Sequence, residues 1–109
     1  MKDIRASIIL NNDDKMKVLN SDLEFLEYEG DERIEVILDG DGDGYYKRNV
    51  DKRLGRNAGR ELINIIKWFN KNLRREFSSE DFDIEYNGFD DERKLNESFW
   101  ATIKNAQST

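Results

Sequence analysis

The sequence contains no cysteine, no histidine and no proline among its 109 residues. Without cysteine there are no disulfides, thiolate metal sites or cysteine nucleophiles, and nothing indicates an oxidising compartment. Without histidine the chain lacks the commonest general base, and no glycine-rich phosphate loop followed by Lys-Ser/Thr is present. Carboxylates with a lysine and a metal can make a nuclease, but the acids are so numerous that no pair is singled out. We therefore expect a non-enzymatic protein without a cofactor.

Long apolar runs are missing as well. Residues 1–10 hold only a short apolar run interrupted by charge, well short of the ~20 apolar residues that cross a bilayer. The sequence thus predicts no membrane partner and a cytoplasmic location. Its length fits one domain over residues 1–109, and no internal repeat divides it. Six phenylalanines, four tyrosines and two tryptophans provide large side chains for a compact core.

What the chain does have is strong charge segregation. Residues 21–46 carry ten acidic side chains against one arginine, and residues 47–75 carry ten basic side chains against two acids. The acidic excess returns over residues 76–97, with nine acids against two basic residues. The net charge of −6 therefore hides two strong and opposite fields. Such fields bear on partner choice and encounter rate rather than on fold.

The first third of the chain predicts strands. Alternation of apolar positions indicates a half-buried strand at Ile4, Ala6, Ile8 and Leu10, which the polar residues 11–14 interrupt. Residues 15–29 fit either a helical stripe or a strand. We favour a strand, because residues 29–32 look like a turn into the β-rich run at residues 33–38.

Residues 56–77 predict an amphipathic helix with Asn57 as its N-cap. One side of this helix is apolar at Leu62, Ile65, Ile66, Phe69 and Leu73. The polar side is almost uniformly basic, which suits either a solvated face that balances nearby acidic strands or a ridge that binds phosphates.

The C-terminal third predicts a strand at residues 82–86, a turn at residues 87–88 and a final element that favours a helix. The acidic residues 90–92 suit the N-terminus of that helix, although residues 98–104 could instead pair as a strand. The fold class expected is α+β: a small antiparallel sheet packed against one main amphipathic helix, with a shorter C-terminal helix or strand.

Residues 39–44, Asp-Gly-Asp-Gly-Asp-Gly, resemble the opening of an EF-hand calcium loop, with carboxylates at positions one, three and five and glycine at six. The resemblance ends at position twelve, where the required glutamate is replaced by Val50. The cation site would use Asp39, Asp41 and Asp43, with help from Asp51. An anionic hairpin connection is the simpler interpretation, so no metal is expected.

The acidic strands carry our leading functional hypothesis, which is binding to a basic protein target, a nuclease or another nucleic-acid-binding protein, with nucleic-acid mimicry as one route. Alternatively, these acidic side chains keep the protein soluble and protect a sheet edge from pairing with another strand. Aromatic side chains would add apolar anchors. The partner-binding residues expected are Asp22, Glu24, Glu27, Glu29, Glu32, Glu35, Asp39, Asp41, Asp43, Tyr28, Tyr45 and Tyr46.

In small size, acidity, lack of cysteine and lack of a catalytic set, the chain is similar to bacterial immunity proteins against nuclease toxins. It is also similar to phage-encoded inhibitors of host defence, including anti-CRISPR proteins. The similarity covers composition over the whole chain and no motif. It implies a small inhibitor and assigns no residue roles.

A nucleic-acid-binding module is the alternative function, with stacking by Tyr45, Tyr46 or Trp68. The flanking acid would repel a nucleic acid unless the fold keeps the two charged faces apart. The residues expected for this function are Lys47, Arg48, Lys52, Arg53, Arg56, Arg60, Lys67, Lys71 and Arg74. A homodimer joining acidic hairpin to basic helix is a third hypothesis.

Overall fold

The structure, a computed structural model, describes residues 2–28, 32–41, 50–89 and 91–107. They form an α+β fold, as the sequence predicts, with a four-stranded antiparallel sheet and a long main helix. In chain order the elements are β1 (Lys2–Ile9), α1 (Asn12–Leu19), β2 (Leu26–Glu27), β3 (Arg33–Asp41), α2 (Val50–Asn72), β4 (Asp83–Asn87) and α3 (Arg93–Gln107), with a 3-10 turn at Ser79–Asp81.

The sheet has the strand order β2-β3-β1-β4, so the first strand of the chain lies between β3 and β4. Ala6 of β1 lies opposite Val36 of β3 and Ile84 of β4. The pairing of β1 with β3 shifts between Ile4 and Arg5, which is the signature of a β-bulge. Because side chains alternate across a strand, one side of the sheet is apolar and the other polar.

The core lies between the apolar side of the sheet and α2. Phe69 of α2 is fully buried and contacts three rings from outside this helix, with centroid distances of 5.8 Å to Phe25, 5.2 Å to Phe77 and 5.5 Å to Phe82. These partners come from three different parts of the chain. Aromatic side chains thus join α2 to the segments that lead into β2 and β4.

Helix α3 packs on α2 at two glycines. A Cβ atom at Gly55 would lie 2.8 Å from the carbonyl oxygen of Leu95 and 2.9 Å from Cβ of Ser98. A Cβ atom at Gly59 would lie 3.0 Å from Cβ of Thr102. The two helices run parallel to each other at this contact. The missing side chains therefore let two helix backbones approach closely.

The strand prediction for residues 15–29 is wrong over residues 15–19, which belong to α1. The side chain of Asn11 caps this helix by accepting a hydrogen bond from the backbone N–H of Asp14 at 2.8 Å. The polar run that follows β1 therefore starts a helix rather than only ending a strand. Strand β2 covers only Leu26–Glu27, while the run at residues 33–38 is a strand as predicted.

The predicted helix at residues 56–77 has different limits in the structure. Helix α2 begins at Val50, so Asn57 lies inside it and is not the N-cap. It ends at Asn72, because Arg74 adopts a left-handed backbone with φ of 56° and breaks the repeat. The predicted helix began at residue 56 and so left out Gly55. The contact of Gly55 with α3 explains why a glycine lies inside the helix.

Two further predictions concern the ends of the main elements. Asp39 and Asp41 belong to β3, and the next described element is α2, so the predicted hairpin connection falls between these two elements. Residues 42–49 of that connection lie outside the described residues. The C-terminal element is the helix that we favoured, and the strand alternative at residues 98–104 is wrong.

Candidate functional site

The side of the sheet that faces away from α2 is not covered by any described element, and we call it the open face. It presents the residues of β1 and β3 that alternate with the core positions, together with their neighbours on β2 and β4. Its main residues are Asp3, Arg5, Ser7, Ile9, Leu26, Tyr28, Arg33, Glu35, Ile37, Asp83, Glu85 and Asn87.

Arg5 is the centre of a polar network on the open face. Its guanidinium contacts both carboxylate oxygens of Asp3 at 3.1 Å and donates to Glu35 across the strand pair at 2.9 Å. Asp3 also accepts a hydrogen bond from Asn87 of β4 at 2.8 Å, and Glu35 accepts one from the Tyr28 hydroxyl. The network therefore crosses the sheet from β4 through β1 to β3 and the end of β2.

The pKa values in this network follow from burial and pairing. Burial raises the pKa of Asp3, but hydrogen bonds from Arg5 and Asn87, with the positive charge of Arg5, outweigh it and hold the pKa below its ordinary value. The hydrogen bonds to Asp3 and Glu35 raise the pKa of Arg5 further above neutrality. The hydrogen bond to Glu35 raises the pKa of Tyr28, so its hydroxyl remains a donor.

Arg33 forms a second link across the same face. Its guanidinium donates to Asp83 of β4 at 2.8 Å and to the hydroxyl of Ser7 at 3.2 Å, spanning β1 from one neighbouring strand to the other. Two arginines thus hold their carboxylate partners in fixed positions on the open face. The sequence analysis did not select these two arginines. The available signal was that both occupy strand positions that alternate with buried apolar residues.

Large apolar side chains are also exposed on the open face. Six such side chains are exposed in the described part of the chain, and four of them lie here: Ile9 is 56% exposed, Leu26 70%, Ile37 49% and Tyr28 39%. Clustered exposed apolar groups of this kind mark interaction surfaces more often than isolated ones do. The open face is therefore a largely polar surface that also exposes four large apolar side chains.

The predicted acidic residues near β2 and β3 are not equivalent. Asp22, Glu24 and Glu32 are exposed, whereas Glu27 pairs with Lys15 at 2.9 Å. The side chain of Glu35 is only 13% exposed and is held by Arg5 and Tyr28. In the pairing of β2 with β3, Leu26 lies opposite Glu35 and Glu27 lies opposite the buried Ile34. Glu35 is therefore on the open face, and Glu27 is on the other side of the sheet.

Other residues of the acidic prediction lie elsewhere. Asp39 is half-buried, and its Oδ2 has no hydrogen-bond partner in the described structure. Asp41 ends β3. Glu29, Asp43, Tyr45 and Tyr46 lie outside the described residues. Within the described ranges no three acidic side chains converge as metal ligands.

The predicted basic residues lie on the opposite side of the molecule. The buried side chains of α2 face the sheet, and its exposed side carries Arg53, Arg56, Arg60, Lys67 and Lys71. Arg74 follows the end of the helix. Lys52 lies in the first turn of α2, and Lys47 and Arg48 lie outside the described residues. Trp68 is half-buried and packs edge-on against Phe69, with centroids 6.0 Å apart.

No protein-family model, curated protein or solved structure matches the chain. Among the described helices, none combines the length and apolar character that a membrane crossing requires. The physical properties of the open face and of α2 are therefore the basis for any functional assignment.

Proposed function

We propose that the protein is a non-enzymatic binding protein, a small inhibitor that occupies a basic, nucleic-acid-handling protein through the open face. The observation that carries the proposal is the combination of exposed apolar side chains on the open face with exposed carboxylates at Glu24 and Glu32, just before β2 and β3. Affinity in protein interfaces comes mainly from a few buried anchors near the centre, while polar groups at the rim exclude water. Leu26 and Ile37 are suited to the first role, and Glu24 and Glu32 to the second.

The arginine network supports this role by fixing the surface before binding. Arg5 is held by Glu35 of the neighbouring strand β3, and Arg33 pairs across β1 with Asp83 of β4, so the side chains between the apolar anchors are already ordered. Ordering flexible side chains on association costs about 0.5 to 1.5 kcal/mol each. A surface that is ordered in the free protein avoids much of this cost.

Charge supports a basic partner. Exposed carboxylates around the open face attract a positive surface and accelerate encounter at low ionic strength. The exposed basic residues of α2 lie on the far side of the core, so they do not face the same partner. Occupation of a nucleic-acid-binding site would follow if the carboxylates replace phosphates there, in the manner of the inhibitors that the composition resembles.

The test begins with capture of partners on the immobilised protein and continues with the purified partner in a quantitative binding assay. Leu26→Ser with Ile37→Ser is expected to weaken affinity at least about tenfold, because it removes the apolar centre. Met16→Ser is the matched control, since Met16 is 51% exposed but lies on α1. Equal affinity of the open-face variant and the control would contradict the proposal.

Charge reversal tests the rim separately. Glu24→Lys with Glu32→Lys is expected to lower the association rate about tenfold or more at low salt, because steering by opposite charge is lost. The control, Glu61→Lys with Glu97→Lys, makes the same change in net charge on the helix side. Competition by duplex DNA for the captured partner tests the nucleic-acid-binding site, and a partner that binds both at once would exclude mimicry.

A further inference from the structure

The exposed side of α2 is a continuous basic surface, which we call the basic ridge and define as Arg56, Arg60, Lys67 and Lys71. At 100° per residue these side chains fall within about 60° of one another, on the side of the helix opposite Leu62 and Phe69. All four are exposed. From Arg53 to Asn72, Glu61 is the only carboxylate that shares the helix with them.

These four cations are not used to neutralise the acidic strands. Among the described residues, no ion pair involves a member of the basic ridge, whereas Arg5, Arg33, Lys15 and Arg75 all pair with carboxylates. From the sequence alone, the basic face of α2 could serve either to balance the charge of nearby acidic strands or to bind phosphates. The core separates the ridge from the open face, so the two fields point to opposite sides of the molecule.

The length of the ridge suits a regular polyanion. Fifteen residues separate Arg56 from Lys71, which corresponds to about 22 Å along a helix at 1.5 Å per residue. A duplex presents one phosphate per strand about every 3.4 Å of its axis, so roughly six phosphates of one strand lie within that length. Asn57 and Asn64 are exposed on the same helix and provide uncharged hydrogen-bond donors.

The groove between α2 and α3 continues this surface. It encloses about 350 Å³ and is lined by Arg56 from α2 and by Lys94, Thr102 and Asn105 from α3, with Glu97 as its one carboxylate. Cations and amides such as Arg56, Lys94 and Asn105 commonly contact phosphate and sugar oxygens, whereas the hydroxyl of Thr102 already donates to the carbonyl oxygen of Ser98. Both helices can therefore contribute to one phosphate-binding surface.

We propose that the basic ridge, extended by the α2–α3 groove, binds the phosphate backbone of double-stranded nucleic acid without reading its sequence. Exposed cations in a row, without an exposed aromatic among them, favour contact with phosphates over stacking on bases. The protein then has two independent surfaces, one for a basic protein and one for nucleic acid. This inference does not rest on the function proposed for the open face.

The experiment measures binding of a fluorescein-labelled 25-base-pair duplex DNA of mixed sequence by fluorescence anisotropy between 20 and 200 mM salt. Four phosphate contacts predict a slope of log K against log salt of about −3 to −4. Arg60→Gln with Lys67→Gln is expected to reduce the magnitude of the slope by about two and to weaken affinity at the lowest salt at least about tenfold. A scrambled duplex is expected to bind equally well.

The control variant is Lys17→Gln with Arg93→Gln, which removes the same charge from α1 and from the first turn of α3. Circular dichroism and urea unfolding establish that both variants fold, as expected for exposed residues. Binding of the ridge variant with the affinity and slope of the control overturns the proposal. So does a wild-type protein that binds no duplex, or one whose mass falls from dimer to monomer as salt rises, because the ridge is then occupied by a second copy.

Discussion

Asp3 is the residue where burial and charge conflict most directly, because it is 3% exposed and carries a carboxylate. A buried charge is stable only when it is paired and hydrogen-bonded. Arg5 provides two contacts and Asn87 a third, all on the open face. The pairing fixes β1 against β4 and holds Arg5 in position to reach Glu35 on β3. A single buried acid therefore organises the candidate binding surface.

The lowered pKa of Asp3 predicts a pH dependence of stability. A carboxyl whose pKa is lower in the folded than in the unfolded protein stabilises the fold above the unfolded pKa. This contribution is lost as the pH falls through the folded pKa, so the loss begins below about pH 4. Asp3→Asn is expected to lower the free energy of unfolding by about 2 kcal/mol at pH 7, through the loss of charge-assisted hydrogen bonds.

Urea unfolding of both proteins between pH 2.5 and 7 checks this prediction. The difference in free energy of unfolding between wild type and Asp3→Asn is expected to shrink as the pH falls below about 4. A difference that stays constant across this range would show that the charge on Asp3 does not contribute.

At the scale of elements, the contact between α2 and α3 depends on side chains that are absent. Gly55 and Gly59 face Leu95, Ser98, Phe99 and Thr102 at distances that leave no room for a methyl group at Gly55. Glycine in a helix costs roughly 1 kcal/mol relative to alanine, so this contact offsets an intrinsic penalty. It also aligns the groove beside the basic ridge.

Gly55→Ala is therefore expected to destabilise the protein, although alanine is the better helix former. The clash with a backbone carbonyl cannot be relieved by a rotamer change, and overpacking typically costs 1–3 kcal/mol. After the gain in helix propensity, we expect a net loss of up to about 2 kcal/mol in the free energy of unfolding. Asn57→Ala, on the exposed side of the same helix, is the control and is expected to be neutral or slightly stabilising. A Gly55→Ala protein as stable as wild type would mean that α3 can move away at little cost.

At the scale of the whole molecule, the fold consists of two layers with opposite charge on their outer faces. Acidic and apolar side chains lie on the sheet side. The four cations of the basic ridge, which form no ion pair among the described residues, lie on the outer side of α2. The alternating signs along the sequence thus become a separation in space. Phe69 holds the layers together from the middle of the core.

Phe69→Ala is expected to lower the free energy of unfolding by about 3 to 5 kcal/mol, because loss of a fully buried ring that contacts four others leaves a cavity. Met16→Ala, at an exposed position, is expected to change it by less than about 0.5 kcal/mol. Both are measured by urea unfolding, followed by circular dichroism and by tryptophan fluorescence. For one domain the two signals are expected to give one transition; separate transitions would contradict a single cooperative unit.

Much of the fold follows from local pattern. Alternation at Ile4, Ala6 and Ile8 predicts β1, and helical spacing at Leu62, Ile65 and Phe69 predicts α2, because each pattern matches one backbone geometry. The strand prediction for residues 15–29 was wrong in part, because this segment fits both a helical and a strand pattern. The cap formed by Asn11 decided the outcome. The true start and end of α2 depended on its contact with α3 and on the backbone of Arg74.

By itself, the sequence determined which kinds of element form, that acid and base occur in separate blocks, and that cysteine and histidine chemistry is excluded, since these follow from composition and period. Only the tertiary structure decided that Arg5 and Arg33 meet carboxylates from other strands, that Glu35 is held in a network, and that the basic ridge forms no ion pair among the described residues. Those relations depend on strand order and on which faces the core separates, and neither is encoded in any local stretch of the chain.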